Sequence, residues 1–433
     1  MSMTITTTGG TIVNERTNTL QDESPLALYR RVIEAQEPLY PSLTAPEAFR
    51  PENVIRPYKE MLQRMQRGVD LAYTERGKEI PEWSSRFFMP LEFWLRMLIA
   101  DKEYEALEAK YPEGFQVIDN WLIEYLNAVS AIGTWRYTQG VYRFEPEFLK
   151  ALSESKLEGD IPCEVLLRLP QWCVYVEMPV VFDGVRGFGF WAHIVNQVHS
   201  TTEPILSLLI NGISANGERV FRHFTMVLTG GHLVDLIRET LEASLTAALS
   251  DSEKKYYGSK VGWLLNLAHD KAVREAEYQR KADEVRPLLA VLLYLCSTEP
   301  DIISTRAPGE SPKNNLGRTK KGKFHLFPVA GPHVWRVGSS FEKELKNHYR
   351  VLHQEEVRAK TDKRQVRSHV RSAHWHGYWK SHRPKEGQKD LREFIFHWIP
   401  PLIVRGSKSE SIGYSTFRVG NDSEPIAQPQ RII

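Results

Sequence analysis

Along the first third of the chain, apolar side chains recur every three or four residues, the spacing of an amphipathic helix. Leu91, Trp94, Leu95, Met97, Leu98 and Tyr104 keep that spacing within residues 90–109. Ile118, Trp121, Leu122, Tyr125, Leu126 and Val129 repeat it within 116–132. A helical region over 23–132 is therefore expected, after a Thr- and Gly-rich stretch, 1–22, too poor in large apolar residues to order itself. The pattern then changes. Segments 172–181 (WCVYVEMPVV) and 185–195 (VRGFGFWAHIV) flank Asp183-Gly184, a strong hairpin signal. Segments 205–210 and 218–228 are set off by Asn211-Gly212 and Asn216-Gly217. Four strands with short turns predict an antiparallel meander rather than a doubly wound parallel sheet.

Helical spacing returns after Gly230-Gly231, predicting helices over 232–249, 255–269 and 282–296, the last stopped by Glu299-Pro300. A Pro-, Gly- and Lys-rich loop, 304–323, leads to a predicted helix over 339–352 and a charged connector, 358–371. HWHGYW at 374–379 follows, then a strand-like run, 394–404, interrupted by Pro400-Pro401. The expected class is α+β: a helical N-terminal region, a central antiparallel sheet packed with helices (133–303), a basic C-terminal α/β segment (304–410) and a polar tail (411–433).

Composition narrows the function. With 433 residues, 42% hydrophobic and 11 Trp, the chain can bury a sizeable core. No run of about 18 apolar residues is present, so no membrane partner is expected. The polar N-terminus is not a secretory signal, and Cys163, Cys173 and Cys296 lie in apolar contexts without a CxxC pair. Reduced core thiols in a cytoplasmic protein are expected. The net charge of +2 conceals an asymmetry: residues 313–385 hold 18 Lys and Arg against 5 Asp and Glu, which leaves the remainder at −11. That segment also holds eight of the 14 His. One region attracts polyanions and the rest repels them.

Within it, Gly317 to Lys323 has the spacing of a phosphate loop. Phe324 stands where a magnesium-binding Ser or Thr belongs, and no apolar strand precedes, so nucleotide hydrolysis is not expected. Residues 363–380 carry a sharper signal. Lys363, Arg364, Arg367 and Arg371 supply phosphate-pairing cations. His374, Trp375, His376, Tyr378 and Trp379 supply planar groups on which unpaired bases stack. The competing reading is that Trp375 and Trp379 anchor the segment on the core while the arginines are merely solvated. His374 and His376 fall on one face of an extended strand. They are weak candidates for a metal pair or for acid–base cleavage of RNA, and no neighbouring Cys or carboxylate completes a metal site. No cofactor is expected. His193 and His223 read as structural histidines, and Glu299-Pro300-Asp301 as a helix-ending turn.

Four segments, taken in order, resemble a known family: 133–142 (GTWRYTQGVY), 169–176 (LPQWCVYV), 292–302 (LLYLCSTEPDI) and 373–379 (AHWHGYW). They are similar to the type V-A anti-CRISPR proteins that block biogenesis of the effector nuclease. The resemblance implies a protein of phages, plasmids or other mobile elements, acting in the cytoplasm of a bacterial host. It implies recognition of the effector's N-terminal polypeptide as it leaves the ribosome, and decay of the message being translated. The partners would be that nascent chain, the ribosome or mRNA, and host RNA-decay machinery. Trp172, Tyr175 and Trp191 on the predicted sheet are our candidates for a peptide groove. The cluster from Lys363 to Trp379 is the candidate RNA or ribosome surface. Two alternatives stay open: a ribonuclease using its own His/Arg cluster, and a nucleic-acid-binding accessory protein of a mobile element.

Overall fold

A computed structural model describes residues 45–79, 88–89, 93–94, 97, 120–157, 160–196, 203–228, 230–247, 271–305, 316–318, 324–326, 329, 331–361, 369–381 and 392–404. The expectations for 1–22, 255–269, 411–433 and most of 90–109 lie outside the described residues, as do Lys363, Arg364 and Arg367.

Helices α1 (Ala45–Ala48), α2 (Pro51–Val54) and α3 (Lys59–Glu79) precede α4 (Asn120–Thr138). Strand β1 (Gly140–Phe144) and helix α5 (Pro146–Glu154) come next. The predicted meander follows as β2 (Cys173–Phe182), β3 (Val185–Asn196), β4 (Pro204–Ile213) and β5 (Arg219–Val227). Asp183 and Gly184 both take positive φ (48° and 76°), the paired left-handed geometry of a two-residue hairpin turn. Asn211-Gly212 is a correction: it lies inside β4, opposite Val220 and Phe221, and the turn falls at 214–218, where Gly217 has φ 83°. Gly212 serves close approach instead, since a Cβ there would stand 2.3 Å from the Arg186 carbonyl oxygen.

The sheet is wider than the meander. Its order is β5-β4-β3-β2-β1-β9-β6, with β6 at Ile302–Ser304 and β9 at His333–Val337. Strand β1 runs parallel to both neighbours, so the sheet is mixed, within an α+β architecture. Cys173 to Val176 are all buried, as expected when both faces of a central strand are covered. Helix α4 packs across β2 to β5. Helices α6 (Leu233–Ala247) and α7 (Lys271–Leu295) pack together, and α7 reaches β2 and α5. The N-terminal helices join this core through Arg136, which donates to Gln66 Oε1 and the Leu62 carbonyl, and through Trp94, seated on Gly133. One continuous apolar cluster runs from Val54 to Trp398.

Strands β7 (Leu316–Arg318) and β8 (Phe324–Leu326) form an antiparallel pair. A strand therefore follows Lys323 where a phosphate loop needs a helix. Helix α8 (Ser339–Thr361) extends nine residues past the predicted end. Its N-terminus is tied by Asp301, whose carboxylate accepts from the Ser340 N–H and Oγ, both at 2.7 Å. That contact gives the Glu299-Pro300-Asp301 turn a structural role.

The chain then forms β10 (His369–Arg371), β11 (His374–Lys380), β12 (Glu393–Ile399) and β13 (Leu402–Val404). β10 pairs with β13 and β11 with β12, both antiparallel. The register is shared: three residues from Arg371 to His374 match three from Leu402 to Ile399. The four strands are one ribbon, interrupted where Pro400 and Pro401 bring no N–H to the ladder. Among the described residues, no helix is long and apolar enough to cross a membrane.

Candidate functional site

The ribbon has two unlike faces because side chains alternate along each strand. Trp375, Gly377, Trp379, Phe394, Phe396 and Trp398 share one face through direct cross-strand pairing. Its inner half is fixed to the core. Phe396 is fully buried, Trp398 is 5% exposed, and the Trp398 Nε1–H donates to Ser155 Oγ at 2.9 Å. Phe148 and Phe341 meet the Trp398 ring edge-on at 5.0 and 5.7 Å. Trp375 is also buried, 5.8 Å from Phe396. Of the two tryptophans weighed between core and ligand, Trp375 is therefore an anchor of the ribbon.

Trp379 is not. From His376 to Lys380 every residue is exposed, with Tyr378 at 51% and Trp379 at 42%. Arg392 lies over the Trp379 ring at 5.0 Å, a cation–π contact. The opposite face presents His374, His376, Tyr378 and Lys380, with His376 and Tyr378 rings 6.0 Å apart. His374 is half-buried, and its Nδ1 lies 3.2 Å from the Ser372 carbonyl. Sequence reasoning missed His397, which pairs directly with His376 across the ladder. Only the partner strand's register reveals it. Among the described residues no group of three or more His, Cys, Asp or Glu is placed to hold a metal.

The proposed groove residues are found elsewhere. Trp172, Tyr175 and Trp191 are 6%, 2% and 1% exposed. Trp172 packs 4.8 Å from Phe88, Tyr175 packs 4.8 Å from Trp191, and the Tyr175 hydroxyl donates to the Phe49 carbonyl. The N-terminal segments thus cover the side chains that looked like an open aromatic lining. These three are core residues in this structure.

The cysteines and His193 are buried, and His223 is half-buried; all read as structural groups. All three cysteines are free and buried, and burial pushes the Cys163 thiol up to about 11, far from a reactive thiolate. The His193 imidazole lies 3.1 Å from Ser130 Oγ beneath the sheet. Burial lowers its pKa to about 3, and burial with the Arg222 charge lowers that of His223. The His193 ring stays neutral in the fold down to about pH 3, whereas an unfolded imidazole takes up a proton below about pH 6.5. The sign follows: stability is level above pH 6.5 and falls as pH drops from there toward 3, by up to about 1.4 kcal/mol per pH unit for His193. Urea titrations at pH 7 and pH 5 check this, and His193→Gln should flatten the dependence. An unchanged slope in that variant would refute the assignment.

Comparison with known proteins follows the same stretch of chain. The model of the AcrVA2-like family, the anti-CRISPR type V subtype A2 family, matches residues 142–406. Protein FinQ of Escherichia coli is 22% identical over 284 residues, covering 62% of this chain and 74% of that protein. The crystal structure of AcrVA2 aligns with a TM-score of 0.49 at 20% identity, over 81% of this chain and 98% of that one.

Proposed function

Because the chain belongs to the anti-CRISPR type V subtype A2 family, we propose that it prevents production of a type V-A effector nuclease by binding the effector's emerging N-terminal peptide and promoting decay of the translated message. The reading is supported by one observation above the others. A segment of high positive charge leads directly into a ribbon whose outer end exposes His376, Tyr378, Trp379 and Lys380. Adjacent exposed aromatics such as Tyr378 and Trp379 are uncommon on a folded surface, and five consecutive exposed positions on a well-formed strand suit a ligand better than a core.

In this reading residues 304–410 are the unit that faces the ribosome or RNA. Lys363, Arg364, Arg367 and Arg371 neutralise phosphates, and the face carrying His376 and Tyr378 offers bases a stacking surface. Message decay is carried out by recruited host machinery. The ribonuclease reading retains one supporting observation, the direct opposition of His376 and His397 with Lys380 on the same face.

Co-expression with a type V-A effector gene tests the proposal, with effector protein and transcript followed by blot. Both are expected to fall, and an effector whose first codons specify a different peptide is expected to escape. Normal accumulation of the unaltered effector would sink the proposal. If His376→Ala with His397→Ala keeps peptide binding yet abolishes message loss, cleavage belongs to this chain and not to a recruited nuclease.

A further inference from the structure

The ribbon offers backbone as well as side chains. The Phe396 N–H donates to Thr298 Oγ1 at 3.3 Å, and its carbonyl accepts the Thr298 N–H at 3.0 Å. Both backbone groups of Phe396 therefore point away from β11. In an antiparallel ladder, directly opposed residues either exchange both bonds or turn both groups outward. Gly377, opposite Phe396, must then point its own N–H and C=O to the outer edge of β11. Alternation gives Trp379 the same outward orientation. Lys156 meets this edge as a parallel bridge at His374. Beyond it, no described residue bonds to the backbone of Gly377 or Trp379.

Little on this edge discourages pairing. The register from His374 to Lys380 is unbroken, without a bulge or a proline, and its one lysine stands at the end. Folded proteins normally blunt a free edge with those devices. The two edges of the seven-stranded sheet differ: β6 has three residues, and on β5 every side chain except Thr225 is buried or half-buried. The centre of the β11 edge is also flat. Phe394 lies over Gly377 so closely that a Cβ there would stand 2.4 Å from its ring.

We propose that the outer edge of β11 takes up an extended polypeptide segment as a third strand of the ribbon. Its backbone pairs with Gly377 and Trp379, an apolar residue lies against Trp379 on one face, and an acidic residue faces Lys380 on the other. The proposal rests on the nascent-chain reading and names the surface for it. Strand addition draws affinity from main-chain bonds and preference from the alternating side chains. It requires a partner not yet folded, which a chain leaving the ribosome is and a finished nuclease is not. RNA has no row of amides and carbonyls at strand spacing, so it cannot continue the ladder.

The test uses the full chain and overlapping synthetic peptides copied from the N-terminal region of a type V-A effector. Binding is read by fluorescence anisotropy, and hydrogen exchange is followed at individual amides. One peptide is expected to bind and to slow exchange at Gly377 and Trp379. N-methylation of its amides at alternate positions should abolish binding in one register and spare it in the other. Trp379→Pro removes an outward N–H at an edge position that tolerates proline, and should weaken binding at least tenfold, by roughly 1.4 kcal/mol. Trp379→Phe, which keeps the N–H, should weaken it less. Binding with protection elsewhere overturns the edge and leaves the nascent-chain reading standing, whereas failure of every peptide overturns both. Protection that grows with protein concentration in the absence of peptide would assign the edge to a second copy of the chain. Protection of the same amides by single-stranded RNA alone would assign it to nucleic acid. Either result overturns the proposal.

Discussion

Phe148→Ala is expected to destabilise the protein by about 3–5 kcal/mol, and to loosen the C-terminal ribbon before the rest of the fold. Phe148 is fully buried on α5. Its ring meets Tyr294 of α7 at 4.7 Å, Phe341 of α8 at 5.3 Å, Trp398 of β12 at 5.0 Å and Phe144 of β1 at 6.2 Å. Four elements far apart in sequence thus share one side chain. Gly338, at φ 85°, closes over the same ring, and a Cβ there would stand 2.1 Å from Phe148 Cδ1. Neighbours held that tightly by their own backbone relax poorly into a vacated site, which places the loss toward the upper part of the range. The ribbon is the most dependent element, because Trp398 and Phe396 supply most of its attachment. Urea unfolding measures the total, and exchange at the amides of Trp375 and Phe396 reports the ribbon. A loss below about 1 kcal/mol, ordinary for a substitution anywhere, would remove Phe148 as the junction.

The same junction shows what the sequence can and cannot convey. The Asp183-Gly184 hairpin was legible because its signal is local: both residues favour the left-handed conformation that the turn needs. Asn211-Gly212 carries the same signal and lies in mid-strand, since what matters there is the Arg186 backbone pressing from β3, a contact no local pattern encodes. Strands β1 and β9 were missed for a related reason. Each has only five residues: β1 is buried at all but one position and shows no alternation, and β9 alternates over too short a run, inside a polar basic stretch, to stand out. Their pairing, Gly140 with His333, spans almost half the chain. The aromatics of β2 and β3 were read as a groove because a tryptophan on a strand looks the same whether covered or open. Phe49 and Phe88, which cover them, come from the N-terminal region. The ribbon was half legible. The run from Phe394 to Val404 was read as strand, but its partner, rich in Arg and His, was read as surface, and His397 went unnoticed until the register placed it beside His376.

Reversing Arg364, Arg367 and Arg371 to Glu together is expected to weaken binding of single-stranded RNA by two to three orders of magnitude, roughly, near physiological salt. The argument is one of charge. Residues 313–385 carry a net of +13 while the remainder carries −11, and the triple change removes six units from the attracting side. Each phosphate neutralised on a single strand contributes about 0.7 to the slope of log affinity against log salt, so losing three contacts should flatten that slope by about 2. The salt dependence separates a direct role from a structural one. A variant that merely misfolds loses binding and its melting transition together, whereas one that loses phosphate contacts keeps its melting temperature and shows the shallower slope. Anisotropy of a labelled single-stranded oligonucleotide over a range of salt gives both numbers. The edge of β11 adds a second discrimination: effector-peptide binding should survive the triple reversal, since an acidic residue there is met by Lys380 rather than by the arginines upstream. If peptide and RNA binding fall together while the melting temperature holds, the two surfaces are one, and the division of labour between charged segment and strand edge is wrong.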